Sequence, residues 1–263
     1  MDLGLKGTTA VVTGGSSGIG LATAGILLAE GARVAICGRD QRRLAEARSE
    51  LEGRHGGANV LACTCDVTSA DAVNQMAREV AGQFGRVDLL VNNAGQARVS
   101  TFGNTTDEDW RAELELKFFS QILPVRAFEP LLRKSSHPAI VGVNSLLALQ
   151  PEAHLVATSA ARAGVQNLLK SLAVELAPQI RVNTILLGVI VTGQMRRRFA
   201  AQAGTGQSFD DWVREQASGK AVPLKRFGLP EEPARAIVFL GSPAASYITG
   251  ASLEVSGGVS RFI

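Results

Sequence analysis

The stretch Thr9-Ala-Val-Val-Thr-Gly-Gly-Ser-Ser-Gly-Ile-Gly20 decides the fold of this chain. Its apolar residues 10–12 predict a buried strand, its glycines predict a tight turn, and residues 18–30 continue at helical spacing. Glycine lets the backbone approach a pyrophosphate closely, and a helix N-terminus offers N–H donors and the positive end of its dipole. The stretch therefore predicts a dinucleotide site on a strand, turn and helix.

The same alternation of short apolar runs and longer helical segments continues along the chain. It is typical of a parallel sheet covered by helices on both faces, so we expect an α/β fold, a Rossmann-type doubly wound parallel sheet of about seven strands. Thr68 and Thr105 each precede an acidic residue by three positions and are interpreted as helix N-caps. The predicted strands are 8–13, 33–37, 59–64, 87–91, 138–143, 180–186 and 251–255, and the predicted helices are 18–30, 40–52, 69–84, 107–133, 153–177 and 230–241.

Length and composition favour a single domain over residues 1–263, since the chain is 46% hydrophobic and can bury one large core. The one long irregular stretch, 189–222, contains four glycines and is predicted to be a substrate-binding insertion. Its run Arg196-Arg-Arg198 is interpreted as a solvated helix face, with substrate binding as the alternative.

Several classes of function and location are disfavoured. The net charge of +3 and the absence of a long basic run argue against nucleic-acid binding. The chain shows neither a signal-peptide core nor an apolar run long enough for a membrane span, so we expect a cytoplasmic protein. Cys37, Cys63 and Cys65 suit a reducing compartment; Cys63 and Cys65 are interpreted as residues on one strand face rather than metal ligands, and no metal is expected.

Three motifs occur in order along the chain: the Gly-x-x-x-Gly-x-Gly turn, Asp66 after the third predicted strand, and Asn92-Asn-Ala-Gly95 after the fourth. Together they resemble the short-chain dehydrogenase/reductase family, close to its bacterial 3-oxoacyl-ACP reductase branch, from about residue 5 to 258. Further matching positions are Arg181-Val-Asn183, Gly188, Thr192, Pro230-Glu-Glu232, Phe239-Leu240 and Thr249-Gly250.

The resemblance implies a nicotinamide dinucleotide cofactor and a role for each matching position. The phosphates would be held by the glycine-rich turn, through Gly14, Ser16, Ser17, Gly18, Ile19 and Gly20. The adenine would contact Asp66 and Val67, and the riboses would be lined by Asn93, Ala94 and Gly95. The nicotinamide carboxamide would lie by Gly188 and Thr192. The Asn92–Gly95 turn would also brace the central strands.

The choice of cofactor depends on the end of the second strand. Arginine there accommodates the 2′-phosphate of NADP, whereas an acidic residue binds the ribose hydroxyls of NAD. Arg39 suits the phosphate, and Asp40 is placed to cap the next helix. NADP(H) is therefore favoured, and NAD(H) stays open if Arg39 only stacks over the adenine.

The expected active site departs from the family pattern of Asn, Ser, Tyr and Lys. Ser145 matches the Ser position, but the Tyr position holds Thr158, the Lys position holds Arg162, and the Asn position, seven residues after Trp110, holds Lys117. A threonine hydroxyl is a far weaker acid than a phenol and is shorter. Arginine keeps the positive charge but has a different geometry and does not deprotonate. The chain's single tyrosine, Tyr247, is interpreted as a packing residue.

Three interpretations remain open. In the first, the missing acid is supplied by Lys117 or by His154, and burial and the charge of Arg162 would lower the pKa of Lys117. The alternatives are that Lys117 forms an ion pair with Glu113 or Glu115 and that His154 faces solvent. In the second, the substrate is a conjugated alkene or an imine that needs no strong acid, and Lys117, Arg162 and Arg98 bind its anionic group; Arg98 is otherwise a surface residue. In the third, the protein is a catalytically weak or inactive NADP(H)-binding sensor or scaffold.

We therefore predict an NADP(H)-dependent oxidoreductase of the short-chain dehydrogenase/reductase type. It would transfer hydride to or from a small molecule that has a carbonyl group or a conjugated double bond. The substrates that we consider include anionic ones. Ser145 would polarise the reacting oxygen, Arg162 would anchor the nicotinamide ribose, and Lys117 or Thr158 would complete the proton path. The resemblance also implies a homodimer or homotetramer formed through helices 107–133 and 153–177.

Overall fold

Seven parallel strands form one sheet in the order β3-β2-β1-β4-β5-β6-β7, in a computed structural model that describes residues 2–201, 206–219 and 222–261. This confirms the predicted α/β architecture. Every strand pairs in parallel with its neighbours, as helical crossovers require. The strands are β1 Thr9–Val12, β2 Arg33–Gly38, β3 Val60–Thr64, β4 Leu89–Asn92, β5 Ala139–Ser145, β6 Arg181–Leu187 and β7 Ser252–Val255.

Helices connect the strands, and the six helices that were predicted begin close to the predicted positions. They are α1 Gly18–Ala29, α2 Gln41–His55, α3 Ala70–Phe84, α4 Asp107–Leu132, α5 Val156–Glu175, α6 Gly193–Ala200, α7 Phe209–Gly219 and α8 Glu231–Gly241. Asp40 caps α2 as predicted, because its carboxylate accepts from the Arg43 N–H.

Two predicted caps were wrong by one residue. Ser69 caps α3, because the Thr68 hydroxyl is already committed to Asp66. Thr106 caps α4 in a reciprocal pair with Asp109, while the Thr105 hydroxyl donates to the Thr101 carbonyl. Both caps therefore lie one residue later than the sequence pattern indicated, while α3 begins one residue after its predicted start and α4 begins at its predicted start.

The core lies on both faces of the sheet. On one face α1, α2 and α8 pack through residues such as Leu27, Leu44 and Ile237. On the other face α3, α4 and α5 pack through residues such as Met76, Phe128 and Leu169. Since both faces are covered, β1, β2, β4, β5 and β6 are buried along most of their length, and this explains their continuous apolar runs.

The insertion at 189–222 differs from the irregular segment that was predicted, because it contains α6 and α7. These helices pack with Phe227 in a separate small apolar cluster around the buried Trp212. Gly193 opens α6 and Gly219 ends α7, so glycines that suggested an irregular chain mark helix ends instead. The Arg196 guanidinium lies 4.5 Å from the Phe209 ring centroid, whereas the side chains of Arg197 and Arg198 lie outside the described part of the chain.

The order of the strands reverses between β1 and β4, and this places a crevice beyond their carboxyl ends, where open α/β sheets bind ligands. Within residues 2–201, 206–219 and 222–261, no helix is both long and apolar enough to cross a membrane. No group of three or more His, Cys, Asp or Glu in those same ranges is placed to hold a metal ion.

Candidate active site

A cleft of about 630 Å³ occupies this crevice. It is lined by most of the residues that the sequence assigned to cofactor binding, namely Gly14, Ser16, Ser17, Gly18, Ile19, Arg39, Asp66, Val67, Asn93, Ala94, Gly95, Arg162 and Thr192. Gly20 and Gly188 lie outside the lining: Gly20 sits beneath the turn, and Gly188 packs against the Ser256 backbone. Lining residues that the sequence did not indicate include Cys37, Gly38, Arg43, Cys65 and Gln96.

The floor of the cleft is the N-terminal end of α1. Ser17, its N-cap residue, makes no capping hydrogen bond through its side chain, and the first turn carries no acidic residue. The free N–H groups therefore face the cleft with the positive end of the helix dipole. A Cβ at Gly20 would come within 2.4 Å of the Gly14 carbonyl oxygen, so this turn requires glycine. The arrangement fits a phosphate group.

The turn after β4 is tied to the glycine-rich turn by Thr13 and Asn93. The Thr13 hydroxyl accepts from the backbone N–H groups of Asn93 and Ala94, at 2.9 and 3.0 Å. The Asn93 side-chain amide donates back to the carbonyls of Thr13 and Gly14, at 2.9 and 3.2 Å. These bonds hold the two segments that border the middle of the cleft in one arrangement.

Arg39 and Asp66 border one end of the cleft. Their side chains lie 3.7 Å apart, and Arg39 remains 65% exposed, so its guanidinium is free to meet a ligand. Burial alone would raise the pKa of Asp66, but hydrogen bonds from Thr68 and the charge of Arg39 hold it below its ordinary value. Asp66 is therefore a fixed anion whose Oδ1 is occupied by the Thr68 N–H and hydroxyl.

Behind the opposite end of the cleft, Glu113 of α4 joins two of the substituted positions. Its Oε1 accepts from the Thr158 hydroxyl at 2.5 Å and from the Lys117 ammonium at 2.6 Å. All three side chains are buried, at 4% exposure or less. Lys117 also donates to the Gln96 carbonyl at 2.6 Å, directly behind the cleft wall. The predicted pairing of Lys117 with Glu113 is thus present, and Glu113 is a central residue whose contact with Thr158 the sequence did not reveal.

The buried surroundings of the Lys117 ammonium change its pKa. Burial lowers its pKa, the nearby Arg162 charge lowers it further, and Glu113 opposes both effects. Such a lowered pKa brings an ammonium closer to a useful proton donor at neutral pH. The Thr158 hydroxyl, by contrast, gives its single proton to Glu113 or to the Arg98 carbonyl, and its oxygen accepts from the Arg98 N–H.

Arg162 reaches the cleft from α5. One of its terminal nitrogens donates to the Val143 carbonyl at 3.1 Å and lies 3.4 Å from the Asn144 side-chain oxygen. Its Nε is buried without a partner. Burial lowers the pKa of the guanidinium to about 10, against the opposing charge of Glu113, so Arg162 stays cationic at neutral pH. It therefore brings a fixed positive charge and unused donor capacity to this end of the cleft.

Ser145 ends β5 and caps the short 3₁₀ turn Leu146–Ala148. Its hydroxyl accepts from the Leu147 N–H at 3.3 Å and lies 3.4 Å from the Leu187 carbonyl. These are long hydrogen bonds, so the half-buried hydroxyl can turn toward a ligand. Ser145, Thr158 and Lys117 are not among the residues that line the cleft.

Three residues considered from sequence have other roles. His154 is more than half exposed and pairs with Glu152 at 3.2 Å. Arg98 is partly exposed and forms an ion pair with Asp109. Tyr247 was wrongly interpreted as a packing residue, since it is fully exposed in the chain segment after the last 3₁₀ turn.

Comparison with known proteins gives the same picture. The family described as Enoyl-(Acyl carrier protein) reductase matches residues 14–260. The D-threitol dehydrogenase of Mycolicibacterium smegmatis is 35% identical over 98% of this chain and 94% of its own length. The 3-oxoacyl-acyl-carrier-protein reductase FabG of Thermotoga maritima is 33% identical over 97% of this chain and 98% of its own length.

Among solved structures, an NADPH-bound short chain oxidoreductase of Pseudomonas aeruginosa PAO1, described as containing an atypical catalytic center, is 54% identical. It superposes with a TM-score of 0.93 over 97% of this chain and 98% of its own. The L-sorbose reductase of Gluconobacter frateurii, complexed with NADPH and L-sorbose, is 34% identical with a TM-score of 0.94 over the whole of both chains. With its seven-stranded sheet, its dinucleotide cleft and these full-length matches, the chain belongs to the short-chain dehydrogenase/reductase family of NAD(P)-dependent oxidoreductases.

Proposed function

We propose that this protein is an NADP(H)-dependent oxidoreductase that transfers hydride between the nicotinamide and a small carbonyl or conjugated compound, using Ser145, Lys117, Thr158 and Arg162. The observation that carries the proposal is one cleft with an exposed arginine at one end and a buried Glu113–Lys117–Thr158 cluster beside Arg162 at the other. The relatives described with NADPH support this choice of cofactor.

The residues present fit such a cofactor. The uncapped N-terminus of α1 would hold the pyrophosphate, and Arg39 would pair with a 2′-phosphate, since guanidinium forms charge-assisted bonds with phosphate. Asp66 and Val67 would contact the adenine, and Asn93, Ala94 and Gly95 would line the riboses. Gly188 and Thr192 would lie near the nicotinamide carboxamide. The bound cofactor would supply or accept a hydride.

The chain's own residues would handle charge and protons. Arg162, which lines the cleft, would bind the nicotinamide ribose, while its contacts to Val143 and Asn144 fix its position. Ser145 would donate to the substrate oxygen. The Lys117 ammonium, with its lowered pKa, would replace the missing phenol as proton source, and Glu113 and Thr158 would keep it oriented.

A sensor or scaffold role is the second candidate, and one observation favours it. The Thr158 hydroxyl is fully buried and committed to Glu113, so the position that normally holds the acid does not reach the cleft. A protein of this kind would bind NADPH without turnover. A homodimer or homotetramer through α4 and α5 suits either role and stays a prediction, as does a cytoplasmic location.

The deciding experiment is a titration with NADPH and with NADH, followed by a screen of ketones, enones and imines, some bearing a carboxylate or phosphate. Binding is read from nicotinamide fluorescence and turnover from NADPH absorbance. We expect tighter binding of NADPH than of NADH, and turnover that falls in Ser145→Ala and in Lys117→Ala. If turnover were unchanged in the double variant, the assigned chemistry would be wrong. Tight binding with no turnover on any compound would favour the sensor.

A further inference from the structure

Two cysteine thiols meet in the wall of the cleft, where the proposed function does not use them. Cys37 belongs to β2 and Cys65 follows β3, the neighbouring strand. Both residues line the cleft, although only 2% of Cys65 and none of Cys37 is exposed to bulk solvent. The third cysteine, Cys63, lies directly beside Cys37 in the strand register but does not line the cleft.

The two thiols are close neighbours, since the residues belong to one buried cluster on the same face of the sheet, at the ends of β2 and β3. The Cys37 thiol donates a hydrogen bond to the Cys65 sulfur, and this bond raises the pKa of Cys37 and lowers the pKa of Cys65. The backbones are held together at the same point, because the Cys65 N–H donates to the Gly38 carbonyl at 3.1 Å. Cys65 thus has the greater thiolate character, and Cys37 stands beside it as a second thiol. This is the arrangement of an attacking and a resolving cysteine.

The position of the pair connects it to nucleotide binding. Cys37 precedes Gly38 and Arg39, and Cys65 precedes Asp66, so the pair lies between the two segments that border the proposed 2′-phosphate and adenine end of the cleft. The Cys37 carbonyl also accepts from the Gly15 N–H in the glycine-rich turn at 3.0 Å. A covalent bond between the sulfurs would draw these segments together, since a disulfide is only about 2.05 Å long.

We propose that Cys37 and Cys65 form an oxidisable pair that hydrogen peroxide converts to a disulfide, and that this disulfide weakens NADPH binding. The Cys65 thiolate attacks one peroxide oxygen, the O–O bond breaks, and the second oxygen leaves as water after protonation. Cys37 then attacks the sulfenic sulfur of Cys65, the S–S bond forms, and a second water leaves. Two thiols lose two electrons in total, and one peroxide is reduced to two waters.

The coupling to NADPH is reciprocal by thermodynamic linkage and rests on the cofactor site proposed above. If the disulfide lowers NADPH affinity by some factor, bound NADPH must disfavour the disulfide by the same factor. Bound nucleotide would also cover the cleft wall through which peroxide reaches the sulfurs. The cell's supply of NADPH would then protect the pair, and its loss would expose the pair to oxidation.

The test uses the full-length reduced protein, treated with hydrogen peroxide with and without NADPH. Free thiols are alkylated after denaturation, and the chain is cut with trypsin. We expect loss of two of the three thiols and a crosslink between the peptides 34–39 and 55–78, reversed by dithiothreitol. Because the second peptide holds both Cys63 and Cys65, variants assign the bond. Cys63→Ser, the matched control, keeps the crosslink, and Cys65→Ser and Cys37→Ala each abolish it.

The affinity is measured on the same samples by nicotinamide fluorescence. We expect the oxidised protein to bind NADPH about tenfold more weakly than the reduced protein, within the usual range of coupling between two sites. Three thiols remaining after peroxide, a crosslink that needs Cys63, or equal NADPH affinity in both forms would overturn the inference. Failure of the reduced protein to bind NADPH would instead overturn the proposed function, because the crosslink that forms in the sample without NADPH does not depend on nucleotide.

Discussion

The buried pair of Glu113 and Lys117 makes a demanding prediction about stability. In Glu113→Gln the amide oxygen still accepts from Thr158, so the change removes only the charge opposite a buried ammonium. Leaving one partner of a buried ion pair alone costs about 3–5 kcal/mol. One kcal/mol shifts the Tm of a chain of this size by about 2–4 °C, so we expect a loss of about 6–20 °C at neutral pH.

The loss should depend on pH in a defined direction. The folded-state pKa of Lys117 lies below its ordinary value of 10.5, and removing Glu113 lowers it further. Between the folded and unfolded pKa values the unfolded state binds more protons, so stability rises with pH across that window. In the variant the window opens at a lower pH. Its Tm deficit should therefore shrink as the pH rises from neutrality toward the ordinary lysine pKa of 10.5, measured by calorimetry beside the parent protein.

Two further variants isolate the cause. Adding Lys117→Met to Glu113→Gln removes the stranded ammonium and should recover most of the lost Tm. Glu129→Gln breaks the partly exposed pair with Arg133 on the same helix and should cost less than about 1 kcal/mol. A deficit that is independent of pH, or that persists in the double variant, would refute the electrostatic reasoning.

Three other changes test the cleft and its support. Gly20→Ala places a methyl within 2.4 Å of the Gly14 carbonyl oxygen and should abolish NADPH binding in a fluorescence titration. In the control Gly53→Ala the added methyl has no atom within 4 Å, so this variant should bind NADPH normally. Its free energy of unfolding should rise by about 0.4–1 kcal/mol. Arg39→Ala should weaken NADPH about tenfold while leaving NADH unchanged, so equal losses for both would contradict the phosphate role. Arg181→Lys loses the fork that bonds three backbone carbonyls and should cost about 1.5–3 kcal/mol in urea unfolding, with NADPH affinity intact in the folded protein.

The fold was predictable because local and global signals agree. The glycine-rich turn requires a strand before it and a helix after it, and buried parallel strands leave continuous apolar runs such as Leu89–Val91. The insertion was not predictable in this way, because α6 and α7 are short and amphipathic and bury only a small cluster around Trp212. Tyr247 shows the limit of composition, since an aromatic residue does not by itself specify burial.

The site was predictable where backbone geometry dominates and less so where side chains meet across elements. The turn residues could be assigned because glycine spacing constrains a local structure. Glu113 could be paired with Lys117 from their helical spacing of four. Its contact with Thr158 joins α4 to α5, and no local pattern reports such a distance. The same reason hides the approach of Cys65, just after β3, to the end of β2, where its N–H donates to the Gly38 carbonyl.

The Thr13 hydroxyl has a consequence for the thermodynamics of ligand binding. It donates to the Val91 carbonyl at 3.3 Å while accepting two amide protons, so the turn after β4 is ordered by the chain itself. A ligand entering there meets a surface whose conformational entropy was already lost on folding. Association at this part of the cleft should then be favoured by a small ordering cost. The amides of Asn93 and Ala94 should exchange slowly with solvent deuterium even before any nucleotide is added.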